Sequence, residues 1–85
     1  MSKKLKKIKE YNLSYYAMKT CEELSELIQA IIKVQLGKWS KIKIAEEIGD
    51  CEIMIAQLKV LYNIHKDVVI AKEKKLKQME RKIKK

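Results

Sequence analysis

Four acids in two pairs are the residues of this chain best suited to chemistry: Glu23 and Glu26 in CEELSE, Glu47 and Asp50 in AEEIGD. Each pair is spaced three residues apart, so on a helix both carboxylates share one face and repel each other. Burying such a pair without compensation is costly. A hard divalent cation reverses the sign, because Mg²⁺ and Mn²⁺ prefer oxygen ligands, and Mg²⁺ retains waters and recruits substrate phosphates. The residue types and spacing therefore point to four carboxylates from two adjacent helices that could hold one or more such ions. A solvated acidic face is the plainer alternative, and Glu22, Glu46 and Glu52 fit it. Zinc fits poorly, since His65 is the sole histidine and no Cys/His ligand spacing is present.

Helices must position these acids. A short basic helix is expected from about Lys3 to Glu10. A longer one is expected from Asn12 or Ser14, either a suitable cap, to about Leu36, where Gly37 can take the left-handed conformation that ends helices. GKWS is then a connector, and Ser40 caps a helix from Lys41 to Tyr62. A break at Asn63–Lys66 precedes a last, lysine-rich helix from Asp67 to Arg81. At 100° per residue, Leu24, Leu27, Ile31 and Val34 form one apolar stripe, and Ile44, Ile48, Cys51, Ile55 and Leu58 another. Glu23 falls at the edge of the first stripe, with Glu26 one step further round. Glu47 falls practically within the second, with Asp50 as its neighbour. The same rhythm on two consecutive helices favours the metal reading over the solvated one.

Composition agrees with helices. The chain has 47% hydrophobic residues, no proline and two glycines, which disfavours a turn-rich β fold. Eighty-five residues make one small domain, 1–85, an antiparallel helical bundle of all-α class. A core of that size is modest, so completion by oligomerisation is expected. The net charge of +9 is uneven: basic ends flank an acidic stretch from Glu22 to Glu52. Basic ends attract polyanions. No run approaches the roughly 20 apolar residues of a membrane span, and MSKKLKKIKE lacks the apolar core of a signal peptide. Cys21 and Cys51 read as reduced thiols in a cytoplasmic protein.

EELSE (22–26), a gap of twenty residues, and EIGD (47–50) together resemble the E-x-x-E…E-x-x-D signature of the MazG-like, all-α nucleoside triphosphate pyrophosphohydrolases. The continuations EELSELIQAI and AEEIGDCEIMIAQL look like small phage and Firmicute members. The resemblance covers about residues 10–83. It implies hydrolysis of a (deoxy)nucleoside triphosphate to the monophosphate and pyrophosphate. It further implies Mg²⁺, with Mn²⁺ as a substitute, held by Glu23, Glu26, Glu47 and Asp50. Glu26 and Glu47 are the expected catalytic carboxylates, with Glu26 orienting or deprotonating the attacking water. Glu22 matches an extra glutamate that often precedes the first pair. Such relatives assemble as homodimers or homotetramers.

Candidates for contact with the triphosphate are Lys74, Lys77 and Arg81 in the last helix and Lys19 one turn before Glu23, each set against a solvated basic face. Trp39 lies where some relatives carry an aromatic for the base, and packing is its competing role. Tyr15 and Tyr16 read as core or interface. One departure stands out: where some relatives place a basic residue one turn after the second pair, this chain has Met54. Neither a membrane nor a specific nucleic acid is an expected partner. Two other functions compete with the enzyme. A basic helical nucleic-acid-binding protein suits the charge, although no recognition-helix pattern or aromatic platform is evident. A purely structural bundle explains the stripes but not the acids that interrupt them twice.

Overall fold

The computed structural model describes residues 3–83, with side chains and burial described from residue 12. The lysines of the first nine residues therefore lie outside the described side chains, as do Lys84 and Lys85. Three helices make up the chain: α1 (Lys3–Gln35), α2 (Lys41–Leu61) and α3 (His65–Ile83). The break expected near Asn12 and Ser14 is absent, and the basic segment and the long helix run on as one. No glycine or proline interrupts residues 1–36. Isolated Asn and Ser in a helix interior cost only tenths of a kcal/mol each, about 0.7 at most, which an otherwise helix-forming segment absorbs.

Both helix ends that flank the hairpin close in the same way. At the end of α1, Lys38 N–H donates to Lys33 C=O and Gly37 N–H to Val34 C=O, with Gly37 at φ +73°. At the end of α2, Ile64 N–H donates to Lys59 C=O and Asn63 N–H to Val60 C=O, with Asn63 at φ +55°. These paired bonds form Schellman motifs, and Gly and Asn are the residues that tolerate the left-handed position. Ser40 occupies the expected N-cap with extended backbone, but its side chain makes no capping bond. The break after α2 is shorter than expected, and α3 starts at His65.

α1 and α2 pack as an antiparallel hairpin. Cys51 Sγ donates to Glu23 C=O at 3.3 Å, and further from the connector Tyr16 shares a hollow with Ala56, Gln57, Val60 and Leu61. The seam runs through Thr20, Glu23, Leu27, Ala30 and Val34 on α1, and through Ile44, Glu47, Cys51, Met54 and Leu58 on α2. Both sets alternate steps of three and four, the spacing of a coiled-coil seam. The true seam is rotated only part-way from the sequence-based stripes: Leu27, Val34, Ile44, Cys51 and Leu58 lie on it as expected. Leu24, Ile31, Ile48 and Ile55, expected inside, are exposed, and both Glu23 and Glu47 sit on the seam itself.

The seam is thin. Its buried residues are Thr20, Ala30, Glu47 and Cys51, and no large side chain is fully buried among the described residues. α3 touches α2 but does not pack on α1, and none of its residues is buried. The radius of gyration is 17.2 Å, against about 12 Å for a compact domain of this length. The shortest dimension is 13 Å, close to the width of one helix with side chains, about 10–12 Å. The chain is a single layer of helices.

Candidate metal centre

Where the α1–α2 seam crosses the two acid motifs, Glu23, Glu26 and Glu47 converge. One carboxylate oxygen from each lies within 4.8 Å of the others. Glu47 is the most enclosed, at 6% exposure, and Glu23 is half-buried. Small neighbours explain the approach: Ala30 and Cys51 on the same seam let the helices come close, and the Cys51 thiol anchors α2 to the backbone of Glu23.

Each seam glutamate has the same surroundings. Glu23 Oε1 lies 3.7 Å from the Lys19 ammonium one turn earlier, and Glu47 Oε1 lies 3.4 Å from Lys43 one turn earlier. The same lysines also reach the flanking acids, Lys19 to Glu22 at 3.6 Å and Lys43 to Glu46 at 3.6 Å. The second oxygen of each seam glutamate, Oε2, is buried and has no hydrogen-bond partner. A buried, unpartnered carboxylate oxygen is costly and calls for an explanation. Two of them within one acid cluster, left over after each neighbouring lysine has taken the other oxygen, fit a cation.

Electrostatics record the crowding. The Glu26 carboxyl is held above the usual carboxylate range, first by the charge of Glu23, then by desolvation, then by Glu47 across the seam. Lys43 is held above the ordinary lysine value, first by its hydrogen bond to Glu47, and Lys19 likewise, first by the charge of Glu22. Burial pushes the Cys51 thiol up, and the charge of Glu23 adds to it. Three carboxylates in such an arrangement could hold a hard divalent cation.

Of the four acids expected to hold a metal, three come together. Asp50 is exposed and stands outside the cluster. Glu22 is exposed and engaged with Lys19. Trp39 is partly exposed in the connector, and the Lys43 ammonium lies 5.8 Å from its ring centroid, so the tryptophan flanks the cluster through that lysine. Lys74, Lys77 and Arg81 lie exposed on α3, which does not pack on α1. An open hollow of about 610 Å³, lined by Tyr15, Met18, Lys19 and Glu22 among others, borders the α1 side of the site.

Lys43 is the site residue that sequence reasoning overlooked. Its signal was present: KTCEELSE and KIAEEIGD share a lysine three residues before the glutamate pair, not merely the acids. Compared with family models, curated proteins and solved structures, the chain matched none.

Proposed function

We propose that this chain is a Mg²⁺-dependent hydrolase that cleaves a (deoxy)nucleoside triphosphate to the monophosphate and pyrophosphate. The observation that carries the metal centre is the pair of buried, unpartnered oxygens of Glu23 and Glu47 beside Glu26. The reaction class comes from the resemblance of the paired acid motifs to MazG-like pyrophosphohydrolases. Glu23, Glu26 and Glu47 would hold the cation, and Asp50, exposed one turn beyond Glu47, stands outside them. A divalent ion bound there offsets triphosphate charge and makes water more acidic. Glu26 takes the proton of the water that attacks the α-phosphorus. The bond from that phosphorus to the bridging oxygen breaks, and pyrophosphate leaves.

The working unit is a homodimer or a larger homo-oligomer in the cytoplasm. A single helical layer has no second layer to bury its apolar side chains. Leu24, Ile28, Ile31, Ile42, Ile53 and Val60 are all exposed on α1 and α2. Helices that are apolar on more than one face are covered on more than one face. A second copy supplies that cover and brings α3 cations such as Lys74, Lys77 and Arg81 within reach of a triphosphate. Among the described residues, no helix is long and apolar enough to cross a membrane.

One observation favours a second reading. α3 is an exposed helix rich in lysine with no buried residue, as a nucleic-acid-binding surface would be. The same experiment separates the two. A panel of nucleoside triphosphates with Mg²⁺ is assayed for pyrophosphate and orthophosphate separately. Pyrophosphate release that Glu47→Gln abolishes supports the hydrolase. Turnover by Glu47→Gln equal to that of the parent refutes the site. Salt-sensitive retention of DNA or RNA, unchanged in Glu47→Gln and without turnover, supports nucleic-acid binding.

A further inference from the structure

The lysines Lys19 and Lys43 occupy equivalent places on the two helices. Each lies one turn before a seam glutamate, reaches one oxygen of it, and also reaches the exposed glutamate beside it. The distances, 3.4–3.7 Å, exceed the 2.7–2.9 Å or so of a tight charge-assisted hydrogen bond. Both lysine side chains are also substantially exposed. Such pairs are weak and easily exchanged. Neither lysine reaches the Oε2 atoms that are left unpartnered.

We infer that Lys19 and Lys43 act as counterions of the acid cluster in metal-free protein, which a divalent cation displaces and which then bind phosphate oxygens of the substrate. The inference rests on the metal centre proposed above. In the empty protein, two ammonium groups offset part of the charge of carboxylates that would otherwise repel across the seam. A cation entering the cluster of Glu23, Glu26 and Glu47 brings positive charge close to both ammonium groups. It weakens their hold on Glu23 and Glu47. Long, flexible lysine side chains then swing outward while staying one turn from the metal, where a bound polyphosphate would lie. The same two groups thus oppose metal binding before the substrate arrives and favour the anion afterwards. Trp39, the only tryptophan, reports the first step, because the Lys43 ammonium leaves its place 5.8 Å from the ring.

The test is Mg²⁺ titration of the full chain without nucleotide, followed by calorimetry and by Trp39 fluorescence, in the parent, Lys43→Met and Lys43→Arg. Inorganic pyrophosphate is then titrated at saturating Mg²⁺. Lys43→Met is expected to bind Mg²⁺ about 3- to 10-fold more tightly, the effect of deleting one nearby, partly screened like charge. It is expected to bind pyrophosphate more weakly by a similar factor, and Lys43→Arg is expected to stay near the parent in both. Trp39 fluorescence changes with Mg²⁺ in the parent. A parent that binds no Mg²⁺ defeats the metal centre itself. A parent that binds Mg²⁺, with Lys43→Met binding it equally or less tightly, overturns the counterion role alone. Tighter Mg²⁺ binding with unaltered pyrophosphate binding overturns the transfer to phosphate.

Discussion

Replacing Glu47 by glutamine is expected to stabilise the empty protein and to remove its stabilisation by metal. Glu47 is 6% exposed, and its Oε2 has no partner. A buried polar group in that state costs about 1–3 kcal/mol, and more when charged. Lys43 relieves part of this through Oε1, but its side chain is 43% exposed, so solvent screens much of the benefit. Glutamine keeps the shape, deletes the charge that Glu23 and Glu26 oppose, and offers an amide donor to either carboxylate. A net gain on the order of 1 kcal/mol follows, or roughly 4–8 °C in Tm for a domain of 60–100 residues. Metal acts in the opposite direction. A cation at one hundred times its Kd stabilises the parent by about 2.7 kcal/mol, and the variant forfeits most of that. The order of melting therefore inverts between EDTA and saturating Mg²⁺, with the variant higher in the first and the parent higher in the second. Circular dichroism melts at one protein concentration read this directly. A variant that melts below the parent in EDTA, yet gains as much from Mg²⁺, would show Glu47 to be a satisfied structural residue and the metal centre to be misplaced.

Three further outcomes are expected. The parent should sediment as more than one 10.0 kDa chain, and Ile28→Lys, on the exposed apolar face, should shift it toward the monomer; a monomeric parent refutes the layer argument. Gly37→Ala should cost about 1–2 kcal/mol in a denaturant melt, the penalty of an L side chain in the left-handed region. The cost is purely conformational, because an added Cβ at Gly37 meets nothing within 4 Å. The raised Glu26 carboxyl sets a pH dependence for the empty protein. Its share of stability is full below the ordinary value of 4.5 and is lost as the pH rises through the raised value. The Tm advantage of Glu26→Gln over the parent in EDTA should therefore open across that window, and Mg²⁺ should reverse it; a difference independent of pH would remove Glu26 from the cluster.

The helices were legible because their ends carry strong local signals. Gly37 marks the end of α1, and the connector and the start of α2 fall where GKWS and Lys41 suggest. The continuous α1 was not legible, because Asn12 and Ser14 look like caps and only the uninterrupted neighbouring turns make them interior. The rotation of the seam was hidden for a different reason. A hydrophobicity pattern assigns the most apolar stripe to the first interface, and here Leu24, Ile31, Ile48 and Ile55 lie exposed beside the seam. The buried points of the seam within the chain, apart from Glu47, are Thr20, Ala30 and Cys51, small or polar residues whose value lies in close approach rather than in apolar area.

That division of surfaces explains why a lysine-rich chain places acids inside its helix pairing. A seam rich in Leu and Ile would hold α1 and α2 apart by the bulk of those side chains, and would leave carboxylates between them either excluded or intolerably desolvated. Thr20, Ala30 and Cys51 bring the helices together with little apolar gain of their own, so the hairpin is weak as a packing unit. On the proposed reading it would gain cohesion if a cation cross-linked Glu23 and Glu26 on α1 to Glu47 on α2, and if a second copy covered the outward-facing isoleucines. Metal binding and assembly would then be coupled, because each would stabilise the α1–α2 geometry that the other requires.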